Sequence, residues 1–110
     1  MSAVAVRLSD TSLRRRADYG RTLARRLTEI DGALELLKVR LAMEDGVRLD
    51  LGRKVFLTLR DRRRSLDEAL DDLMRAPEEE WSWQRRELED ARVRLVELVD
   101  AAIAEYVLNR

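Results

Sequence analysis

Residues 23 to 41 read LARRLTEIDGALELLKVRL, and the spacing of their apolar side chains decides the fold class. Leu27, Leu34 and Leu41 stand seven apart in one column and Leu23, Ile30 and Leu37 in a second, with Leu13 extending the first. Recurrence at alternating threes and fours gathers these side chains on one side of a helix, whereas a strand would need recurrence at two. Ser9 or Asp10 can cap the start, and the pattern runs to about Glu44. At 1.5 Å per residue the stripe extends over about 50 Å. That is longer than a compact domain of this size needs, so part of the seam is expected to meet another chain. Gly20 interrupts the first column, where a large side chain from an opposing helix is expected to approach.

Two further helices follow from the same reading. Asp45-Gly46 is a stop signal, because glycine readily takes the left-handed conformation that ends helices. Val47, Leu49 and Leu51 alternate as a short extended connector would, and Asp50 can cap a second helix to about Arg75. Its stripe is Val55 (or Phe56), Leu59, Leu66, Ala69 (or Leu70) and Leu73; Arg62 and Arg63 fall where the stripe should continue. Ser65-Leu66-Asp67-Glu68 has the form of a capping box, at which the helix can break or restart, and the sequence leaves open whether it does. Ala76-Pro77-Glu78-Glu79-Glu80 starts a third helix: proline suits the first helical position and the carboxylates face the positive end of the dipole. Trp81, Leu88, Leu95 and Ala102 form one column, Ala91 and Leu98 stand in the next, and Val96, Val99, Ile103, Tyr106 and Val107 widen the stripe. The expected architecture is all-α: three long amphipathic helices, about 10–44, 50–75 and 77–108, in an elongated coiled-coil-like bundle, a single domain over 1–110 with residues 1–8 as a flexible arm. Leu88, Leu95 and Leu98 are expected to face the seam of the first helix.

Composition agrees. The 110 residues are 45% hydrophobic and 40% charged, with one proline and four glycines, which suits long helices better than turn-rich β architectures. Cysteine and histidine are absent, so disulfides, thiolate nucleophiles and imidazole bases are excluded, and catalysis would fall to carboxylates, Lys, Arg or Tyr. No catalytic residue, metal ligand or cofactor is expected. The apolar run at residues 1–8 lacks a basic flank before it and meets Arg7, so it does not read as a signal peptide. No apolar stretch approaches the roughly 18 residues of a membrane span, and a soluble, cytoplasmic protein is expected. Net charge is zero but unevenly spread: residues 1–64 carry 16 Arg and Lys against 9 Asp and Glu, a net of +7, and residues 65–110 carry −7. Opposite signs favour laying the acidic part along the basic part, within one chain or between two.

Function is carried by fewer signals. Arg14, Arg15, Arg16, Arg21, Arg25 and Arg26 form a basic patch on the first helix, and Arg60, Arg62, Arg63 and Arg64 a second, as possible anion or nucleic-acid contacts. Zero net charge and the lack of a nucleic-acid motif weigh against that use. Trp81 and Trp83, two positions and about 200° apart on a helix, cannot share one stripe, so one of them points elsewhere, as an anchor for another chain or a lid over the bundle end. Asp71-Asp72 and Glu78-Glu79-Glu80 are explained by helix-end electrostatics, since neighbouring carboxylates on a helix fan outward.

Glu29-Ile30-Asp31, Leu34-Glu35-Leu36-Leu37 with Arg40, and Gly52-Arg53-Lys54 resemble the first helix and following basic stretch of the small all-helical chorismate mutases, over about a third of the chain. The resemblance implies an intertwined three-helix dimer binding a dicarboxylate with Arg and Lys. The repeated Ile-Asp pair of that family and its glutamine near the C-terminal end are missing, and no catalytic residue is carried over. The leading expectation is a non-enzymatic helical interaction module, an adaptor, assembly factor or small chaperone, that forms a homo-oligomer, a dimer above all, or binds a partner protein's helices. Leu27, Ile30, Leu34, Leu37, Leu41, Trp81 and Trp83 are its expected interface, with nucleic-acid binding and a chorismate-mutase-like enzyme as alternatives.

Overall fold

The computed structural model describes residues 9 to 109, which form three long helices folded up, down and up. α1 spans Asp10–Leu41, α2 Gly46–Met74 and α3 Glu78–Ile103, and α3 continues into a wider π-type turn over Ala104–Leu108. Every helix packs on the other two. The bundle is elongated, 18 and 17 Å across its short dimensions. The arm expected over residues 1–8 lies outside the described residues.

Local chemistry sets the ends. Ser9 caps α1 by accepting the Ser12 backbone N–H at 3.0 Å. α1 ends at Leu41, three residues before the expected stop, and its last N–H bonds tighten: Met43 donates to Arg40 and Glu44 to Leu41. Gly46 has φ +62°, the left-handed conformation that glycine takes without a Cβ penalty, and it reverses the chain directly into α2. The extended connector at Val47–Leu51 and the cap at Asp50 are therefore corrected, since both segments are helical and Asp45 holds the cap position without a side-chain hydrogen bond. Three alternating residues also fit a helix that buries only its middle one: Leu49 is half-buried while Val47 and Leu51 are exposed. The helix does not break at Ser65: α2 runs through it, and the Ser65 hydroxyl donates to Asp61 O one turn back, at 3.1 Å.

The core is a single column of leucines. Leu23, Leu27, Ile30, Leu34, Leu37 and Leu41 of α1 meet Leu59, Leu66 and Leu73 of α2 and Trp81, Leu88, Leu95, Val99, Ala102 and Tyr106 at the C-terminal arm of the bundle. Leu98, expected to face the α1 seam, packs on this core partly buried. The α1 seam is thus covered by the other two helices of the same chain, which match its length, and the surplus expected to need another chain is satisfied internally. Each fully covered leucine contributes about 1.5–3 kcal/mol relative to exposure.

Leu13 departs from expectation, being 51% exposed. The buried positions of α1 are Ser12, Arg16, Leu23, Leu27, Ile30, Leu34, Leu37 and Leu41, among which spacings of eleven recur: 12, 23, 34 and 30, 41. An unsupercoiled helix drifts about 20° per heptad, so four heptads back from Leu41 the seven-residue column has turned about 80° off the core and position 12 has replaced position 13. At Gly20 an added Cβ would meet only Met74 Sδ at an ordinary 3.8 Å. The close approach lies at Gly52, where a Cβ would collide with Leu41 Cδ2 and stand 3.1 Å from Tyr106 Cε1.

Candidate functional site

The expected interface residues divide sharply. Leu27, Ile30, Leu34, Leu37, Leu41 and Trp81 are all core residues of the single chain, whereas Trp83 is 48% exposed. About 200° of helix rotation separates the two tryptophans, and their environments differ as that spacing requires.

Trp81 closes one end of the bundle. Its ring meets Tyr19 edge-on, with centroids 6.1 Å apart, and is approached by the guanidinium groups of Arg85 at 5.4 Å and Arg16 at 5.7 Å. Arg16 occupies the leucine column at position −7 from Leu23 and is 4% exposed. It donates to the terminal carbonyls of α2, Met74 O at 3.1 Å and Leu73 O at 3.5 Å, and pairs with Glu78 at 3.3 Å. A helix ends with carbonyls that lack internal partners, and a buried cation there satisfies both their hydrogen bonds and the dipole. Ser12 completes the joint by donating to Glu78 Oε1 at 2.9 Å. Arg48 has the same role at the other end. It donates to Glu105 O and Asn109 O, pairs with Glu44 and Glu105, and stacks 5.0 Å from the Tyr106 ring.

A second brace joins α1 to α3. The Tyr19 hydroxyl donates to Glu89 Oε2 at 2.5 Å, and Glu89 also pairs with Arg92 at 3.0 Å and Arg26 at 3.4 Å. Burial, then the bond to Glu89, pushes the Tyr19 hydroxyl well above its ordinary range. Burial alone would raise Glu89, but hydrogen bonds from Arg92 and Tyr19 and the charges of Arg92 and Arg26 outweigh it and hold the carboxylate below its usual range. A phenol held neutral and a carboxylate held ionised are poorly suited to exchanging protons near neutral pH; their geometry ties two helices.

The arginines do not form one patch. Arg16 is internal, Arg26 engages Glu89, and Arg21 pairs with Asp18. Arg14, Arg15 and Arg25 are exposed and form no ion pair among the described residues. On α2, Arg63 crosses to Asp31 of α1 at 2.8 Å and takes Asp67 at 2.7 Å, which explains why it interrupts the apolar stripe. The residues behind the chorismate-mutase resemblance also diverge: Arg53 lines a cleft between α1 and α2, and Lys54 a groove between α2 and α3. Among the described residues no three carboxylates converge as metal ligands, and no helix is long and apolar enough to cross a membrane.

A concave surface runs along the α2–α3 groove. Its first part, about 590 Å³, has Leu66, Ala69, Leu88 and Ala91 as its floor, and Trp83, Arg62, Asp72, Glu87 and Arg94 around it. Arg62 also lines the second part, about 500 Å³, with Val55, Leu59, Leu98, Ala101 and Ala102. Trp83, Glu87, Ala91, Arg94, Leu98, Ala101 and Glu105 recur at threes and fours along one flank of α3, so both parts lie on the same side of that helix. The alanines keep the floor low, and the charges alternate in sign along the rim. Sequence reasoning singled out Trp83 but not the groove, whose other wall comes from α2, antiparallel to α3.

The chain matches no protein-family model, no curated protein and no solved structure.

Proposed function

We propose that this protein is a non-enzymatic helical interaction module, in the manner of an adaptor, assembly factor or small chaperone of the cytoplasm. The observation that carries the reading is Trp83, a large aromatic left 48% exposed at the rim of an apolar-floored groove between two helices. Such a groove fits the apolar face of an amphipathic helix, and tryptophan is enriched among residues that dominate binding energy. A partner helix laid there would complete a four-helix arrangement, with its own mixed charges meeting Arg62, Arg94, Asp72 and Glu87. Phosphate-backbone binding is the poorer reading, because half of the six α1 arginines are already engaged within the chain.

Affinity capture with the wild-type chain, Trp83→Ala and Ala91→Arg tests this, given unchanged melting temperatures. Loss of a hot-spot tryptophan should weaken the captured partner by at least 2 kcal/mol, about 30-fold, and Ala91→Arg should do the same by filling the groove. Binding that survives both variants, or that weakens steeply between about 50 and 200 mM salt as nucleic-acid binding would, removes the reading.

A further inference from the structure

α1 carries a second stripe on its outer side. Gly32, Leu36 and Val39 lie at spacings of four and three, on the side of the helix away from the leucine seam, and Met43 continues the spacing in the turn that follows. Leu36 is 46%, Val39 47% and Met43 71% exposed, so no other part of the described chain covers them. Two charges flank the stripe, Glu35 on one side and Arg40 on the other, where Arg40 donates to Met43 Sδ at 4.0 Å. Glu35 and Arg40 form no ion pair among the described residues, and on one helix they point about 140° apart, too far round to reach each other. Gly32 is a further feature of this side: it sits mid-helix, where glycine is unfavourable, and nothing lies within 4 Å of where its Cβ would be. The fold of the single chain supplies no reason for it. Close approach of another helix backbone would.

We infer that a second copy of this chain docks on this stripe, with the two α1 helices side by side and parallel. The geometry selects both partner and direction. With Leu36 at heptad position a, and Gly32 and Val39 at d, Glu35 falls at g and Arg40 at the following e. In a parallel two-stranded pair, g faces the e residue five positions on in the other chain. Each Glu35 then meets the second copy's Arg40, twice by symmetry. In an antiparallel pair g faces g and e faces e, so Glu35 cannot meet Arg40 in any register and both ion pairs are lost. Gly32 against Gly32 lets the backbones close at one end of the contact. This inference deepens the proposed interaction role by naming one partner, and it uses a surface separate from the Trp83 groove.

The test is molar mass by light scattering across a concentration series of the full chain, with helicity followed by circular dichroism. The wild type should approach twice the chain mass, and Val39→Glu should remain at one chain mass with unchanged helicity. Glu35→Arg and Arg40→Glu should each raise the dissociation constant at least about tenfold, and the double variant Glu35→Arg/Arg40→Glu should restore it. Glu35, Leu36 and Val39 are exposed and Arg40 is half-buried without an ion pair, so the variants should keep the fold; Leu36→Lys serves if Val39→Glu does not. A wild type at one chain mass throughout, charge swaps without effect, or a double variant as weak as the singles would overturn the parallel dimer. A monomer that still captures a partner through Trp83 would leave the interaction role standing, whereas a dimer with no Trp83-dependent partner would remove the groove reading alone.

Discussion

Two glycines inside helices illustrate how a single position acts through what surrounds it. Replacing glycine by alanine in a helix gains about 1 kcal/mol from backbone entropy. At Gly32 open space receives the methyl group, so Gly32→Ala should raise the stability of the monomeric chain by about 0.5–1 kcal/mol. At Gly52 the same methyl collides with Leu41, itself 6% exposed, and crowds the buried Tyr106 ring. Overpacking of this kind costs about 1–3 kcal/mol and should outweigh the helical gain, lowering the melting temperature by several degrees. Thermal melts of the two variants at low protein concentration should therefore move in opposite directions. The sequence alone does not separate these glycines, because the contact at Gly52 is made by residues 11 positions before it and 54 after it. Trp83 is the opposite case: its angle from Trp81 already shows that the two rings face different ways.

Between helices, the joints are made by charged and aromatic side chains that interrupt the leucine columns. The Tyr19–Glu89 brace titrates at both ends of the pH range. Tyr19 has its folded value raised, so its stabilising share is complete below the ordinary phenol value of about 10 and is lost as pH climbs beyond it. Glu89 has its folded value depressed, so its share is present above the ordinary carboxylate value of about 4.3 and is lost as pH falls through the lower folded value. Melting temperature against pH should fall more steeply above pH 10 in the wild type than in Tyr19→Phe, and more steeply below pH 4 than in Glu89→Gln. Parallel profiles would show that the brace contributes nothing. The heptads of α3 and of the second half of α2 were legible because Trp81, Leu88, Leu95 and Ala102, and Leu59, Leu66 and Leu73, repeat at seven. The start of α1 was not, because extending a seven-residue column to Leu13 assumes a supercoil, and without one the seam passes to Ser12 and Arg16. Arg63 was visible as an interruption, but its partner Asp31 lies on another helix, and only the packed bundle brings them together.

At the scale of the molecule, three helices of similar length bury one another's leucines and leave the outer surfaces to carry function. The opposite charges of the two halves of the sequence meet in crossings such as Arg16–Glu78, Arg26–Glu89 and Arg48–Glu105, so the chain neutralises itself when it folds. The leucine seam that suggested association is therefore the core, and the association we propose uses the Trp83 groove and the outer stripe of α1. Urea unfolding of Val39→Glu over a wide concentration range tests that division most directly. The account predicts a helical monomer whose unfolding midpoint is independent of concentration, because every core leucine finds its partners within one chain. A midpoint that falls on dilution, with helicity lost alongside it, would mean that the seam is closed between chains and would contradict the account.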